Sequence, residues 1–295
     1  MKVLNLVYPE KSDIKYTIQK FPDGQQNVVI DNNWDIYHED VWIPKPIKIK
    51  SRLNNWLDLE LITCAVASLR ELGIEEIHLY APYIMGARSD RKFEAGGNNY
   101  LRDVLCPVIN SLNFKSVTCI DPHSDVLEAC IKGFRKESNL ELVKWALLND
   151  YTKGIFPPAN NNFILVSPDA GASKKIYKLA EQIGYNGDII TCSKDRDKDG
   201  KLTKTVVPID HIDELYKDII IIDDICDGGA TFINIAKEIK MQYKLFNPKP
   251  KIYLIVTHSI FSKGTDELLK YFDGIYTTNS YKENNVEKVK ILNVF

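Results

Sequence analysis

The chain has 295 residues, of which 44% are hydrophobic and 26% are charged, and its formal net charge is −2. Such a composition is typical of a globular protein with a substantial apolar core, and the small net charge argues against a general nucleic-acid binder. No stretch of about 18 apolar residues appears, and the apolar part of the first residues is too short for a signal peptide. We therefore expect a cytoplasmic protein without a membrane span and without nucleic acid as a partner.

The cysteines are spread along the chain without a C-x-x-C spacing, and most of them lie in apolar segments. This distribution predicts reduced thiols in the core rather than a disulfide framework or a zinc site. The cysteines are Cys64, Cys106, Cys119, Cys130, Cys192 and Cys226.

Apolar, β-rich segments alternate with segments of helical spacing. Helical spacing is found over residues 101–112, 172–183 and 232–239, and Pro107 is expected to bend the first helix or to lie in its first turn. Continuous apolar strands that alternate with helices predict an α/β fold with mainly parallel sheets covered on both faces. The predicted strands, in chain order, are IHLYA, SVTCID, FILVSPD, DIITCSK, DIIIIDD, KIYLIVTH and GIYTTNS.

The polar segment 133–141 is the best candidate for a domain boundary, because it leaves an α/β unit of roughly 140 residues on each side. We therefore predict two domains, residues 1–136 and 137–295. Residues 151–162 are polar and rich in turn formers, which predicts a surface loop.

Nearly every predicted strand ends in polar residues. Ligands of open parallel sheets bind beyond the carboxyl ends of the strands, so these residues should meet at one edge of each sheet. The polar strand ends are APYIMGARSDR, DPHSD, SPDAGAS, SKDR, DDICDGGAT and THS.

Residues 219–232, IIIIDDICDGGATF, place three carboxylates and a Gly-Gly pair directly after an apolar run. The run predicts a buried strand that ends at Ile222, with Asp223 and Asp224 following it. Carboxylates at this point can accept hydrogen bonds from the hydroxyl groups of a sugar.

Gly228 and Gly229 let the backbone turn tightly and approach a ligand closely. Thr231 is predicted to open a helix, whose free N–H groups and dipole favour a phosphate. Together with the two acids, the loop predicts a sugar-phosphate site. The alternative is purely structural, a turn followed by a helix N-cap from Asp227 or Thr231.

The same segment resembles the phosphoribosyl-diphosphate-binding loop of ribose-phosphate diphosphokinases and of phosphoribosyltransferases. The other motifs follow the order of the diphosphokinases over nearly the whole chain, whereas the phosphoribosyltransferases lack the amino-terminal ATP half. The segments that carry the resemblance are FPDGQ, APYIMGARSDRK, DPHS, SPDAGA, SKDR, IIDDICDGGAT and THSIFSKG.

The resemblance implies two phosphoribosyltransferase-like (Rossmann-like) domains, the first contacting ATP and the second carrying the ribose-phosphate loop and a catalytic flap. The family reaction moves the β,γ-diphosphate of ATP onto the anomeric hydroxyl of ribose 5-phosphate and releases AMP, with Mg²⁺ on the phosphates. The resemblance also implies a homo-oligomer whose subunits share ATP sites.

The resemblance further implies roles for individual residues. Lys194 and Arg196 would neutralise phosphoryl charge from the catalytic flap, and His123 and Asp169 would hold the metal with its triphosphate. The implied ATP-binding residues are Phe21, Asp23, Gln25, Arg88, Ser89, Asp90 and His123. The implied ribose-phosphate-binding residues are Asp223, Asp224, Asp227, Gly228, Gly229, Ala230 and Thr231.

Several of these residues also have simpler interpretations. His123 could cap a helix, Asp169 could be a turn acid, and the run SKDRDKDGK could be a solvated charged loop. Residues 195–202, DRDKDGKL, also copy the start of a calcium-binding EF-hand loop. The twelfth position of that loop should be a bidentate Glu but is Val206, and strands rather than helices are predicted on both sides.

The ribose-phosphate loop of the family usually reads Asp-Thr-Gly-Gly-Thr, whereas this chain has Gly228 and Ala230 within it and lacks one threonine hydroxyl. GARSDR replaces the usual YARQDR, and FPDGQ replaces FSDGE. These changes fall on residues that would contact the substrate. A second candidate is therefore ADP-ribose as the acceptor, a ribose 5-phosphate whose phosphate carries a further group and which relatives in NAD salvage use. A non-catalytic nucleotide-binding regulator of this fold is a third.

Overall fold

The structure is a computed structural model that describes residues 1–31, 37–38, 41–150, 163–196, 202–209, 217–245 and 248–295. The chain divides into two compact units, Met1–Ser138 with Val294–Phe295 and Asn139–Asn293. Among the residues in these ranges, no helix combines the length and the apolar character that crossing a membrane requires.

The first unit is built on a five-stranded sheet in the order β1-β6-β7-β8-β9, in which every pair of neighbours is parallel. The strands β2 and β3 form an antiparallel hairpin, as do β4 and β5. Its elements are β1 (Lys2–Asn5), a 3-10 turn (Pro9–Lys11), β2 (Tyr16–Lys20), β3 (Gln26–Ile30), β4 (Tyr37–His38), β5 (Val41–Pro44), β6 (Ile47–Lys50), α1 (Trp56–Glu71), β7 (Ile77–Tyr80), a π-helical turn (Leu101–Leu105), α2 (Cys106–Ser111), β8 (Ser116–Ile120), α3 (Val126–Cys130) and β9 (Phe134–Glu137).

The helix predicted over residues 101–112 is present, but its first part is π-helical. Leu101–Leu105 forms the π-helical turn, and α2 continues from Cys106 with Pro107 in its first turn. Proline is tolerated there because the N–H groups of a first turn have no intrahelical acceptor. The prediction for Pro107 is therefore confirmed.

The second unit contains a six-stranded sheet in the order β11-β10-β14-β15-β16-β17, again with parallel neighbours throughout. The strands β12 and β13 form a separate antiparallel ribbon. The elements are α4 (Leu140–Asp150), β10 (Phe163–Ser167), α5 (Ala170–Gln182), β11 (Ile189–Thr191), β12 (Ser193–Arg196), β13 (Leu202–Val206), β14 (Asp218–Cys226), α6 (Ala230–Gln242), β15 (Ile252–Ser259), α7 (Asp266–Leu269), β16 (Gly274–Thr278) and β17 (Val289–Leu292).

The central strand β14 is buried on both faces. Ile219 and Ile221 belong to one apolar cluster with α6, whereas Ile220 and Ile222 belong to a second cluster with α4 and α5. Alternate side chains of a strand point to opposite faces, so a continuous isoleucine run fills both layers. This arrangement confirms the predicted α/β fold with mainly parallel sheets.

The end of β14 differs from the prediction. The strand does not end at Ile222 but continues to Cys226, because its pairing with β15 continues through Asp223 with Val256 and Cys226 with Ser259. The two predicted sugar-binding carboxylates therefore lie on the strand itself rather than in the loop after it.

All six cysteines are free thiols, as predicted, and four of them are buried. Burial, together with the neighbouring Cys130, raises the pKa of the Cys106 thiol to about 12. Burial likewise raises the pKa of the Cys64 thiol. The predicted surface loop 151–162 lies outside the described residues.

Candidate active site

The two carboxylates on β14 occupy different environments. The Asp224 residue is 7% exposed, whereas Asp223 is half-buried. The Oδ1 atom of Asp223 accepts a hydrogen bond of 2.9 Å from the backbone N–H of Asp224. The Oδ2 atom of Asp224 lies 3.3 Å from Nζ of Lys175 on α5. A charged partner is expected beside Asp224, because an isolated buried carboxylate is strongly disfavoured.

The two glycines of the following loop have different structural roles. Gly229 has a φ of 78°, and a β-carbon added there would lie 3.0 Å from Cδ2 of Leu268. Both the left-handed backbone and the packing of Leu268 therefore require glycine at this position. A β-carbon added at Gly228 would lie 3.4 Å from Cδ of Lys263, an ordinary contact distance. A side chain at position 228 is therefore compatible with the loop.

The start of α6 follows directly after the glycine pair. The helix begins at Ala230, one residue before the predicted start at Thr231, and its N-cap is Gly229 without a side-chain hydrogen bond. The N-cap is therefore Gly229, and the prediction of Asp227 or Thr231 as the capping residue is wrong. The first N–H groups of a helix have no intrahelical acceptor, and Gly229 has no side chain that could accept from them. Such a helix start is suited to bind an anion.

Asp169 lies at the same sheet edge, in the turn between β10 and α5. It is the N-cap of α5, and its Oδ1 atom accepts a hydrogen bond of 3.0 Å from the backbone N–H of Ala172. The parallel pairing of β10 with β14, Val166 opposite Ile221, directs both strand ends to one edge. Asp169 thus caps a helix, and a carboxylate that caps a helix still has oxygen lone pairs for another ligand.

The candidate catalytic residues Lys194 and Arg196 lie on the strand β12. This strand follows β11, the edge strand beside β10, and Cys192 donates its backbone N–H to the carbonyl of Ser167 on β10. Along the ribbon, Lys194 pairs with Thr205 and Arg196 with Leu202. The backbone of β12 therefore starts at the carboxyl edge of the six-stranded sheet.

The side chains of Lys194 and Arg196 lie outside the described part of the structure, and so does most of the EF-hand-like run, residues 197–201. The flanks of that run are the strands β12 and β13, as predicted.

In the first unit, the segments that contain Arg88 and His123 follow two neighbouring parallel strands, β7 and β8. The backbone N–H of Ile120 at the end of β8 donates to the carbonyl of Pro82 after β7, which joins the two strand ends. Arg88 and His123 are both exposed. Their segments therefore emerge at the carboxyl edge of the five-stranded sheet.

The rest of the Arg88 segment is held by local contacts. Ser89 donates its backbone N–H to the carbonyl of Gly86 at 2.7 Å, and the side-chain amide of Asn99 donates to the carbonyl of Asp90 at 2.7 Å. Gly86 has a φ of 71°, and a β-carbon there would lie 2.6 Å from the ring of Tyr100. The segment around Arg88 thus depends on a glycine at position 86.

Phe21, Asp23 and Gln25 lie in the exposed turn of the β2–β3 hairpin. The backbone N–H of Phe21 donates to the carbonyl of Gln25 at 2.9 Å, and that of Gln25 donates to Oδ1 of Asp23 at 3.2 Å. Phe21 is 45% exposed. Within the described ranges these three residues make no hydrogen bond outside the turn, so the turn presents its side chains to solvent.

The described residues contain no group of three or more His, Cys, Asp or Glu side chains placed to hold a metal ion. Mg²⁺, however, usually keeps several waters and is bound through one or two carboxylates together with substrate phosphates. Asp169, Asp223 and Asp224 offer carboxylate oxygens at one sheet edge, and this donor set fits Mg²⁺ that binds with a phosphorylated substrate. The imidazole of His123 is a poorer ligand for Mg²⁺ than for transition metals.

Two residues at this edge were not predicted from the sequence, Lys175 and Lys263. Lys175 approaches Asp224 across 49 positions of sequence, and Lys263 approaches Gly228 from the segment after β15. The segment THSIFSKG, which carries Lys263, was recognised only as a whole. Neither lysine follows a motif whose spacing would reveal the contact.

Comparison with known proteins identifies a consistent set of relatives. A ribose-phosphate pyrophosphokinase from Mycoplasmopsis pulmonis is 27% identical over 91% of this chain and 77% of its own length. A ribose-phosphate pyrophosphokinase from Sulfurisphaera tokodaii is 26% identical over 95% of this chain and 89% of its own length. No family model matches the sequence.

The fold is also found among solved structures. The crystal structure of a phosphoribosylpyrophosphate synthetase from Mycobacterium smegmatis superimposes with a TM-score of 0.74 over 97% of this chain and 88% of that chain, at 15% identity. This likeness establishes a shared fold. The curated relatives, which are similar to this chain over about nine-tenths of its sequence, are ribose-phosphate pyrophosphokinases, and together with the shared fold this similarity supports that family of transferases for the chain.

Proposed function

We propose that this protein transfers the β,γ-diphosphate of ATP to the anomeric hydroxyl of ribose 5-phosphate, giving phosphoribosyl diphosphate and AMP. One observation carries the proposal. The strand β14 presents Asp223 and Asp224 and leads, through two glycines, into the start of α6, whose N-cap Gly229 makes no side-chain hydrogen bond. This arrangement offers acceptors for a sugar diol beside donors for a phosphate.

The acceptor substrate is bound through both of its ends. Asp223 and Asp224 accept hydrogen bonds from the 2- and 3-hydroxyl groups of the ribose, while the backbone N–H groups of the loop from Asp227 to Thr231 hold the 5-phosphate. Two fixed ends orient the anomeric hydroxyl toward the β-phosphorus of ATP, and such orientation can supply a large part of the rate enhancement. In the reaction, the hydroxyl oxygen forms a bond to the β-phosphorus and releases its proton to solvent. The bond between the β-phosphorus and the α,β-bridging oxygen breaks, and AMP leaves with that oxygen.

Charge builds up on the phosphoryl oxygens in the transition state. Lys194 and Arg196, on the strand that leaves the carboxyl edge of the sheet, are the cations that we assign to this charge. Cations that act at developing charge lower the barrier more than they tighten the ground state. When bound with ATP, Mg²⁺ supplies charge neutralisation on the phosphates, and Asp169 is the carboxylate that would hold it.

ATP is assigned to the residues at the carboxyl edge of the first sheet and to the hairpin turn. Arg88 binds a phosphate or the base, with Ser89 and Asp90 beside it, and His123 would help to hold the triphosphate with its metal. Phe21, Asp23 and Gln25 receive the adenine and ribose of ATP on a neighbouring subunit. The exposure of this turn supports that assignment, because all of its hydrogen bonds within the described residues are local. The proposal therefore includes a homo-oligomer.

ADP-ribose is the second candidate acceptor. The absence of a threonine side chain at position 228 supports it, and the stem of Lys263, 3.4 Å from a β-carbon added there, is the side chain that borders this part of the loop. Incubation of the protein with ATP, Mg²⁺ and either ribose 5-phosphate or ADP-ribose, followed by mass analysis of the products, separates the two candidates.

The nucleotide product of the same incubation tests the reaction type. We expect AMP together with a product that is heavier than the acceptor by a diphosphate. ADP as the nucleotide product would mean transfer of a single phosphoryl group and would contradict the proposal. Binding of ATP without any turnover of either acceptor would favour a non-catalytic regulator.

A further inference from the structure

Lys263 lies against the phosphate loop. A β-carbon added at Gly228 would lie 3.4 Å from Cδ, 3.5 Å from Cε and 3.7 Å from Cγ of this lysine. Three consecutive carbons of the Lys263 side chain therefore pass over the face of the loop where a residue at position 228 would project its side chain. The family loop that this segment resembles has a threonine at that position.

The backbone holds Lys263 in this place. The backbone N–H of Phe261 donates to the carbonyl of Cys226, the last residue of β14, at 3.1 Å. The backbone N–H of Gly264 then donates to the carbonyl of Phe261 at 3.0 Å, which closes a tight turn around Lys263. Leu268, just beyond the turn, packs on Gly229. The turn is thus fixed to the loop on both sides.

The ammonium group of Lys263 is available to a ligand as far as the described residues are concerned. Throughout the ranges that the structure describes, its ammonium group makes neither a hydrogen bond nor an ion pair. The loop itself is acidic, since Asp223, Asp224 and Asp227 precede the glycines. A phosphate beside three carboxylates gains from an additional cation.

We infer that Lys263 is a phosphate-binding residue of the acceptor site, where its ammonium group takes the place of the threonine hydroxyl that the loop lacks. The inference rests on the proposed function, because it assumes that a sugar phosphate occupies the loop. A lysine ammonium forms charge-assisted hydrogen bonds with a phosphate, which are roughly twice as strong as neutral ones. The residue thus gives the site a preference for acceptors that carry a charged phosphate at this position.

The test compares Lys263→Met, which keeps the aliphatic stem, with Lys263→Arg, which keeps the charge. Binding of ribose 5-phosphate is measured directly by calorimetry, and the KM of ribose 5-phosphate and of ATP is measured in the AMP-release assay. We expect Lys263→Met to weaken acceptor binding about ten- to a hundredfold, as the loss of a charged hydrogen bond predicts, while the KM of ATP is unchanged. Lys263→Arg should restore most of the affinity.

The matched control is Lys288→Met. Lys288 is exposed and directly precedes β17, so it lies at the opposite, amino-terminal edge of the same sheet. This control should bind ribose 5-phosphate as the unchanged protein does. A further control uses ribose, which has no phosphate, in place of ribose 5-phosphate. The unchanged protein and Lys263→Met should bind ribose equally weakly.

The outcomes distinguish this inference from the proposed function. Release of AMP with ribose 5-phosphate, combined with unchanged acceptor affinity in Lys263→Met, would overturn the role of Lys263 and leave the function standing. Absence of turnover, combined with ribose 5-phosphate binding that depends on Lys263, would overturn the function and support the phosphate site. A protein that neither binds nor converts ribose 5-phosphate would overturn both.

Discussion

Lys175 on α5 and Asp224 on β14 form an ion pair, with 3.3 Å between Nζ and Oδ2. The Asp224 side chain is 8% exposed and the Lys175 side chain 38% exposed, so the pair reaches from the buried sheet toward its edge. Lys175 therefore orients one oxygen of Asp224 and leaves the carboxylate a hydrogen-bond acceptor for a ligand. The ion pair thus connects α5, the helix that Asp169 caps, to Asp224, which is proposed to bind the sugar.

Asp224→Asn is expected to weaken the binding of the acceptor substrate about ten- to a hundredfold, because a hydrogen bond to a charged acceptor is worth roughly 1.5–3 kcal/mol. The KM of ATP should hardly change. If Lys175 acts through Asp224, Lys175→Met weakens acceptor binding less, and the double variant is no worse than Asp224→Asn alone. Calorimetry with ribose 5-phosphate measures all three affinities.

The control for this cycle is Lys174→Met, which removes an exposed lysine from the same helix. It should leave acceptor binding unchanged. Additive losses in the double variant would show that Lys175 and Asp224 act independently on the substrate.

Lys194→Ala is expected to lower kcat and kcat/KM together by about 10²–10³-fold, as the removal of a transition-state hydrogen-bond donor does in other enzymes. The affinity for ATP, measured by equilibrium binding, should stay nearly intact. Lys178→Ala, an exposed lysine on α5, is the control and should keep full activity. An unchanged kcat with a large loss of ATP affinity would assign Lys194 to ground-state binding.

Gly228→Thr restores the hydroxyl that is usual in the family, and the distance of 3.4 Å from an added β-carbon to Lys263 shows that the loop can accept the substitution. If ribose 5-phosphate is the acceptor, its KM should be unchanged or lower. If ADP-ribose is the acceptor, the added bulk should raise its KM selectively. Equal effects on both acceptors would mean that the loop does not select between them.

Gly229→Ala is expected to lower the free energy of unfolding by more than the roughly 1–3 kcal/mol typical of a strained left-handed residue, because the new methyl group also meets Leu268 at 3.0 Å. Gly264→Ala is the matched control, since Gly264 has a φ of 73° with nothing within 4 Å of the added carbon. The Gly264→Ala substitution should lower the free energy of unfolding only by the strain of the left-handed backbone. The free energies of unfolding are measured in urea. When both variants also carry Leu268→Ala, the methyl group at position 229 no longer meets Leu268, and the two losses of free energy should be equal.

Subunit complementation tests the shared ATP site. Phe21→Ala and His123→Ala should each inactivate the homo-oligomer, because ATP loses either its adenine contact or its triphosphate contact. Co-expression of the two variants should restore part of the activity, since mixed oligomers then contain some sites with neither substitution. Light scattering should show an oligomer in every case. Full activity of a monomer, or no recovery in the mixed oligomers, would contradict a shared site.

The sequence was sufficient to predict the α/β fold, because long apolar strands and amphipathic helices impose periodicities that tertiary packing does not override. It was less accurate at the ends of elements. The strand β14 extends past Ile222 because its pairing with β15 continues, and the pairing partner of a strand cannot be read from that strand alone. The helix α6 starts at Ala230 because Gly229 adopts the left-handed conformation and turns the chain.

The candidate site was predicted in outline by motifs whose residues are close in sequence. Lys175 and Lys263 were missed because each contacts the glycine loop or its acids from a distant part of the chain. A lysine on an amphipathic helix or in a polar turn is usually a solvated surface residue, so composition gives no signal for such contacts. Only the folded sheet brings them to the loop.

The extension of β14 through Asp223 to Cys226 has a consequence for the dynamics of the protein. Backbone amides of a central strand exchange with solvent only through the larger unfolding events of a domain, whereas the amides of loops exchange through local opening. We therefore expect the amides of Asp223 and Asp224, the proposed sugar-binding acids, to exchange slowly, together with the core of the second unit. Their backbone is already ordered before a substrate arrives, so acceptor binding carries little entropic cost at this end of the site.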